Sequence, residues 1–299
     1  MIANKVNIQN TSKKHLSYRQ KKKIKRYISL TMLWIFIGIT IFPLIWMVIS
    51  SMSDQEGLLT GKIQPQLKNI LVNYHDMWTN INFGLYFKNS LIIDASTTVI
   101  ALSIAVLAGY ALARFKFIGS NLFGIATLGT QMIPGILFLL PLYLIFLQIQ
   151  QTFGIKMVNT YQGIIITYSA FYIPFSIWIL RGFFASIPLE IEEAARIDGC
   201  TQFSAFIRVI LPLAIPGIIA AAIYIFLMAW DELLFAWVLT TSADVQTIPV
   251  GIRLFVGNYQ NRYDLLMAAA TVVTIPVALM FFLLQKYFIS GMTAGAVKG

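Results

Sequence analysis

Six long apolar runs constrain this 299-residue chain more than any other feature. A helix needs about 20 mostly apolar residues to cross the hydrocarbon core of a bilayer. Six segments reach that length: 27–50, 91–112, 122–147, 161–180, 211–239 and 265–287. Only 11% of the residues are charged, whereas a soluble domain carries about 25%. The sequence therefore predicts an all-α membrane protein with six transmembrane helices and with both termini on one side.

The distribution of Lys and Arg predicts the orientation of these spans. Nine basic residues and no acid lie in residues 1–26. In the six-span arrangement, 16 of the 22 basic residues lie on the side of the termini and six on the other side. Cytoplasmic loops of membrane proteins are enriched in Lys and Arg. We therefore expect both termini to lie in the cytoplasm.

The chain shows one membrane domain, 27–299, preceded by the basic cytoplasmic tail 1–26. Nucleic-acid binding is a weak interpretation of this tail, because an apolar span follows it directly. The single cysteine, Cys200, excludes an internal disulfide, and the only histidines, His15 and His75, are too few for a metal cluster. We therefore predict no catalytic, cofactor-binding or metal-binding residues in this chain.

Within the second span, Ala101, Ala105, Gly109 and Ala113 recur every four residues. Small residues at this spacing form a flat stripe on one helix face and allow another helix to approach closely. Plain packing is the simpler interpretation of this stripe, and an interface that moves is the alternative.

A charged segment, 182–212, separates the fourth and fifth spans. Charges such as Glu190, Glu192 and Arg196 are too costly in hydrocarbon, so this segment lies in water at the membrane surface. Ser186 as N-cap, Pro188 in the first turn, the acids that follow and a stop at Gly199 predict a short helix. Thr201 then caps a second one, which runs to Leu211-Pro212. Such a segment can serve as a handle for another protein, or it can be an ordinary surface loop.

The order of residues here resembles that in a known family. Glu193-Ala194-Ala195, Gly199 and Leu211-Pro212 are similar to the "EAA" loop of ATP-binding-cassette (ABC) importer permeases, with Val209 where that family usually has Ile. Further resemblance covers most of the chain. It lies in Phe87-Lys88-Asn89-Ser90, in 108–115 (AGYALARF) and in the C-terminal 285–299, which resembles carbohydrate permeases of the maltose/multiple-sugar type.

The resemblance implies a type I importer permease fold, the smaller permease of a heterodimer and a location in the bacterial plasma membrane. It also implies as partners a second permease subunit, an ATPase dimer, an extracytoplasmic sugar-binding protein, the sugar itself and the lipid bilayer, but no nucleic acid. No G-x-x-x-x-G-K-[ST] phosphate loop occurs in the sequence, so ATP and magnesium would bind to the partner ATPase. Residues implied to couple to that ATPase are Glu193, Ala194, Ala195, Asp198, Gly199, Leu211 and Pro212, within a 190–206 coupling segment.

Polar groups inside spans are the candidates for a sugar path. Trp230, Asp231 and Glu232 lie in the outer third of the fifth span or at a break in it. There, an aromatic ring could stack on a sugar and carboxylates could accept hydroxyl hydrogen bonds. Anchoring at the membrane interface is the alternative role for these three residues. Gln131 and Asp94 are weaker candidates. A stand-alone secondary transporter or channel is the alternative function, although the inverted repeats expected of many secondary transporters are not clear here.

Overall fold

The structure, a computed structural model, describes residues 18–80, 82–258 and 262–296. Every regular element in these ranges is helical and no strand occurs in them, as predicted. The residues 1–17 of the basic tail and 297–299 at the C-terminus lie outside the described residues. The helices are α1 Tyr18–Ser51, α2 Gln55–Thr60, α3 Leu67–Asn80, α4 Phe83–Arg114, α5 Ser120–Gly129, α6 Leu139–Phe153, α7 Tyr161–Ser186, α8 Leu189–Ile197, α9 Gln202–Ala205, α10 Leu211–Leu213, α11 Ile215–Trp230, α12 Leu234–Leu239, α13 Ile248–Asn258 and α14 Tyr263–Ala296.

By its contacts the chain divides into two units, with the boundary after Ile49. The described part of the first unit is a single helix, which continues through Pro43. Its apolar residues are exposed along most of its length, as in Trp34 and Phe36. A helix that is apolar on all sides belongs in a membrane or in a protein core. The second unit begins at Ser50 and contains all the other helices.

In the part of the chain that the structure describes, five helices are long and apolar enough to span a bilayer, and a sixth span is formed if the bent pair of Gln202–Leu213 and Ile215–Trp230 is taken together. The axes of this pair differ by 74°. The prediction of six apolar segments therefore agrees with the structure within the described residues. Two of the predicted segments are interrupted.

The predicted third span, 122–147, is not one helix. α5 ends at Gly129, two 3₁₀ turns occupy Thr130–Met132 and Gly135–Phe138, and α6 follows. Pro134 lies at this break, and Ile133 before it has an extended backbone (φ −84°, ψ 123°). A residue before proline avoids the helical region because of a clash with the proline ring. The helix that meets the length of a span is therefore Gly135–Phe153.

The predicted fifth span, 211–239, also ends early, because α11 stops at Trp230 and α12 begins at Leu234. The Glu232 carboxylate accepts hydrogen bonds from the backbone N–H groups of Phe235 (3.0 and 3.1 Å) and Ala236 (3.1 Å). These N–H groups belong to the first turn of α12, which has no intrahelical acceptor for them. The acid therefore starts a new helix instead of continuing the old one.

The core of the second unit lies where α4, α7 and α11 pack together. The predicted small-residue stripe lies on this surface, with Ala101 and Ala105 fully buried. A Cβ atom on Gly109 would lie 2.9 Å from the Cβ of Leu180 and 3.3 Å from the carbonyl oxygen of Ile177 on α7. The close approach predicted for the stripe is confirmed, and α7 is the helix that it approaches.

Candidate functional site

Residues 187–213, which we call the interspan segment, form the predicted helix–turn–helix between α7 and α11. The Gly199 backbone is left-handed (φ +91°) and ends α8, where the N–H of Cys200 donates to the carbonyl of Ala195 (3.0 Å). A left-handed glycine is a common way to terminate a helix. The Thr201 hydroxyl accepts from the N–H of Ser204 (3.2 Å), so the predicted cap of the second helix is confirmed.

The beginning of α8 differs from the prediction. Ser186 is not an N-cap, because it is the last residue of α7 and its hydroxyl donates to the carbonyl of Phe183 (2.7 Å). Pro188 occupies the N-cap position, before the first turn. The second helix also contains a five-residue π-helical stretch, Phe206–Ile210, between α9 and α10. The wider π turn was not predicted.

Among the residues predicted to couple to an ATPase, Glu193, Ala194, Asp198 and Gly199 are exposed. Ala195 is buried on the inner face of α8, Leu211 is half-buried and Pro212 is exposed. Two large apolar side chains lie beside the exposed acids, namely Ile197 (87% exposed) and Phe203 (71% exposed). Exposed apolar residues rimmed by polar ones are typical of a protein interaction surface. The segment thus has one face toward the bundle and one free face.

The buried face of α8 contains a charged contact that the sequence alone does not predict. The Tyr110 hydroxyl donates to Glu192 Oε1 (2.6 Å), and Arg114 Nε lies 2.9 Å from Glu192 Oε2. The side chains of Arg114 and Glu192 are only 7% and 5% exposed. Arg114 also donates to the carbonyl of Ile187 (3.0 Å). We call Tyr110, Arg114 and Glu192 the inner clamp, which joins the end of α4 to α8.

Glu192 lies three residues before the buried Ala195, a spacing that places both on one helix face. The sequence does not show which of the three acids at the start of α8 faces the bundle, because the burial of Ala195 is known only from the structure. Tyr110 is 82 residues away in the chain, so the local pattern could not name it as a partner. In the sequence, Tyr110 and Arg114 stand out only as parts of the AGYALAR resemblance.

Aromatic side chains surround the inner clamp. The Tyr110 ring lies 4.4 Å from that of Phe206 and 5.7 Å from that of Phe184, centroid to centroid. Phe206 begins the π-helical stretch and Phe184 lies near the end of α7. Three elements therefore meet at one buried tyrosine: α4, α7 and the interspan segment. A displacement of the segment cannot leave α4 unaffected, because interiors are closely packed.

The opposite end of α4 holds a second loop by neutral hydrogen bonds. Asn89 Nδ2 donates to the carbonyls of Ala243 (3.2 Å) and Gln246 (2.9 Å), and its Oδ1 accepts from the Tyr161 hydroxyl (2.6 Å). The Ser90 hydroxyl accepts from the N–H of Ile248 (2.9 Å). We call Asn89, Ser90 and Tyr161 the outer clamp. The Phe87-Lys88-Asn89-Ser90 motif thus holds the loop that leads into α13.

A cavity of ≈ 650 Å³ lies beside the break between α11 and α12. Its described lining includes three predicted sugar-path residues, and the full set is Tyr172, Leu227, Met228, Trp230, Asp231, Glu232, Leu233, Leu234 and Val277. Asp231 is exposed. Trp230 is 5% exposed, with its ring against those of Phe226 and Phe87 (5.4 and 5.9 Å between centroids). Asp231 is therefore the acid of this set whose carboxylate faces open space, since Glu232 caps α12.

The structure does not bring Gln131 and Asp94 into this lining set. Gln131 is exposed and its Nε2 donates to the carbonyl of Phe171 (3.1 Å). Asp94 is 1% exposed, and within the described residues neither carboxylate oxygen has a hydrogen-bond partner. The five polar residues thus occupy three different settings, of which only the one at 230–232 opens into this cavity.

Residues 101–294 match the family described as "Binding-protein-dependent transport system inner membrane component". The chain is 38% identical over 264 residues to the trehalose/maltose transport system permease protein MalG of Thermococcus litoralis, covering 87% of this chain and 92% of that protein. It is 35% identical over 265 residues to the trehalose transport system permease protein SugB of Mycobacterium tuberculosis, with 88% and 94% covered. It also superposes on a chain of a bacterial ABC transporter involved in the import of the acidic polysaccharide alginate, with a TM-score of 0.73, 21% identity, and 92% and 100% covered. The last likeness shows a shared fold.

Proposed function

The chain belongs to the family of binding-protein-dependent transport system inner membrane components, and we propose that it forms half of the sugar translocation path of an ATP-driven importer. The predicted ABC importer permease fold agrees with the structural likeness reported above. The chain is a transport subunit, and ATP hydrolysis belongs to a separate ATPase. Carbohydrate is the proposed substrate class, because relatives at 35–38% identity are named for trehalose and maltose.

The proposed assembly contains a second permease, two ATPase subunits that bind ATP with magnesium, and an extracytoplasmic sugar-binding protein. The charge distribution supports a cytoplasmic location for both termini and for the interspan segment. The exposed face of the interspan segment would then meet the ATPase, with Ile197 and Phe203 as apolar contacts among charged residues. Glu193, Ala194, Asp198 and Gly199 lie on that exposed surface.

The inner clamp is the observation that carries the coupling role. A docking helix is useful for transport only if its displacement reaches the spans, and coupling between sites travels through contacting elements. The Glu192 carboxylate connects α8 to Tyr110 and Arg114 of α4, while Phe206 connects the next turn to the same tyrosine. Movement of the ATPase would thus reach α4 directly, and α11 through α10.

The cavity at the end of α11 is the proposed contribution of this chain to the sugar path. The exposed Asp231 carboxylate can accept hydrogen bonds from sugar hydroxyls. Glu232 shapes the wall by capping α12, and the Tyr172 hydroxyl donates to the carbonyl of Met228 (3.0 Å) at the same break. Trp230 supports the wall through ring packing. Gln131 and Asp94 remain weaker candidates.

Copurification followed by reconstitution tests the proposal. Tagged chain extracted from its native membrane should bring down a second permease and an ATPase in fixed stoichiometry. In liposomes, the complex should hydrolyse ATP faster when a sugar-loaded binding protein is added, and it should accumulate trehalose, maltose or a related sugar. Sugar accumulation by this chain alone, without ATPase or binding protein, would establish the alternative of a stand-alone transporter.

The role of the cavity has a separate test in the same liposomes. Asp231→Asn should raise the KM for sugar uptake several-fold and leave assembly unchanged. The matched control is Asp244→Asn, which makes the same change at another exposed acid, in the loop held by the outer clamp. Equal KM values for the two variants would remove Asp231 from the path.

A further inference from the structure

One side of helix α3, Leu67–Asn80, is buried against other residues of the second unit. Asn73 Nδ2 donates to the carbonyls of Ser51 (3.0 Å) and Ser53 (2.9 Å), and the Tyr74 hydroxyl lies 3.1 Å from that of Ser51. Met77 is fully buried in a cluster with Phe83 and Leu265. The orientation of α3 about its own axis is therefore determined by buried contacts.

The position of α3 along the spans is also determined. Only residues 81–82 separate α3 from Phe83, where the span α4 begins. The Trp78 ring contacts the rings of Phe83 and Phe87 at centroid distances of 5.3 and 6.1 Å. α3 therefore lies beside the first turns of α4, the helix that contains the predicted span 91–112.

Three stripes run along α3. With 3.6 residues per turn, Leu67, Leu71 and Trp78 fall within about 40° of one another around the axis. The next sector is mostly polar and contains Lys68, Val72, His75 and Thr79, and the buried Asn73 and Met77 lie on the remaining side. The first three side chains are 79%, 76% and 41% exposed. The residues of the helix with exposed side chains are Leu67, Lys68, Leu71, Val72, His75, Trp78 and Thr79.

We propose that α3 lies in the lipid headgroup boundary of the outer leaflet, with Leu67, Leu71 and Trp78 inserted among the acyl chains. An interfacial helix needs an apolar stripe next to a polar one, and tryptophan is enriched at this depth. Around the axis of α3, the buried side would face protein, the apolar stripe would face hydrocarbon and the mostly polar sector would face water. The Lys68 ammonium, in the polar sector, is placed to reach lipid phosphates while its stem lies along apolar surface.

Charge separates this surface from the exposed face of the interspan segment. There, the exposed charges include Arg196 and the three acids Glu190, Glu193 and Asp198, and anionic lipid would repel these acids. On α3 the charged group in the polar sector is Lys68, and Asp76 is half-buried on the other side. The two apolar surfaces therefore fit different partners, a protein for the interspan segment and lipid for α3.

Spin labelling of the assembled transporter in lipid nanodiscs tests the proposal. In a Cys200→Ser background with partner cysteines removed, labels are placed by Leu71→Cys and, as a matched control, by Thr79→Cys. We expect the label at 71 to be at least several-fold more accessible to oxygen, relative to a water-soluble nickel chelate, than the label at 79.

Other outcomes overturn the lipid assignment. Greater access of the nickel chelate at position 71 would mean that the stripe faces water. Low access of both reagents would mean that a protein covers it, and a change on adding the binding protein would identify that protein. If the transporter with Leu71→Cys does not assemble, a label at Leu67→Cys tests the same apolar stripe. Neither result depends on which sugar is carried, so this test can fail while the proposed transport function stands.

Discussion

The two ends of α4 hold neighbouring segments in different ways. The outer clamp uses neutral groups, and Asn89 alone donates to two backbone carbonyls of the 243–246 loop. The inner clamp uses charge, and its two contacts with α8 converge on the single carboxylate of Glu192. One further bond, from Arg114 to the carbonyl of Ile187, holds the backbone just before α8. Bonds to several backbone groups fix the shape of a loop. Bonds to one side chain leave a joint that can turn while remaining attached, which suits a segment that moves.

Breaking the charged joint should have the largest effect. Glu192→Gln leaves the buried Arg114 guanidinium without its counter-charge, which costs about 3–5 kcal/mol in other buried pairs. We expect a marked drop in the thermal midpoint of the purified complex and loss of sugar uptake per ATP hydrolysed. Glu193→Gln, the exposed neighbour, is the control and should leave the midpoint almost unchanged. Equal shifts for both variants would show that the buried pair has no special role.

Breaking the outer clamp should lower stability without affecting coupling. Asn89→Ala removes the donor to Ala243 and Gln246 and the acceptor for Tyr161, and an unsatisfied buried polar group costs about 1–3 kcal/mol. We expect a lower thermal midpoint but an unchanged ratio of sugar transported to ATP hydrolysed in the surviving complex. A changed ratio would mean that both ends of α4 take part in coupling.

Removing one hydroxyl from each clamp sharpens the comparison. Tyr110→Phe keeps the ring contact with Phe206 but loses a hydrogen bond to a carboxylate, worth about 1.5–3 kcal/mol. Tyr161→Phe loses a neutral hydrogen bond, worth about 0.5–1.5 kcal/mol. Thermal midpoints of the two variants should therefore rank with Tyr110→Phe lower. The reverse order would mean that the Tyr110 bond to the Glu192 carboxylate is not the stronger of the two hydrogen bonds.

A change at the turn that ends α8 should have a small effect on stability. Gly199 has φ +91° with no atom within 4 Å of a built Cβ, so Gly199→Ala adds only backbone strain, about 1–2 kcal/mol. Gly61→Ala is matched, because Gly61 has φ +73° in similarly open space at the end of α2. Both variants should lose similar stability, but only Gly199→Ala should weaken copurification of the ATPase. Loss of ATPase from both would remove Gly199 from the docking surface.

The sequence allowed the spans and the interspan helices to be predicted because their signals are local. Apolar run length identifies a span, and Gly199 and Thr201 mark their helix ends directly. The break at Pro134 was not predicted, and the break at 230–232 was only one of two alternatives, for a different reason. A proline or an acid within an apolar run is compatible with a continuous helix, and here the capping of α12 by Glu232 favours the break.

The partners of Glu192 could not be predicted, because they depend on which face of α8 meets the end of α4. The sugar-path residues show the same limit. Trp230, Asp231 and Glu232 are consecutive, yet the first packs in the core, the second faces a cavity and the third caps a helix. Adjacent residues at a helix break point in different directions, and only the tertiary arrangement assigns each its contacts.

The 74° bend between Gln202–Leu213 and Ile215–Trp230 makes the two helical stretches the arms of an L-shaped lever. At 1.5 Å per residue, the arms are about 18 and 24 Å long. If they rotate as one body about Ala214, a tilt of about 10° displaces the far end of α11 by about 4 Å. A small displacement of the interspan segment along the membrane normal would then become a lateral displacement of the cavity wall at Asp231.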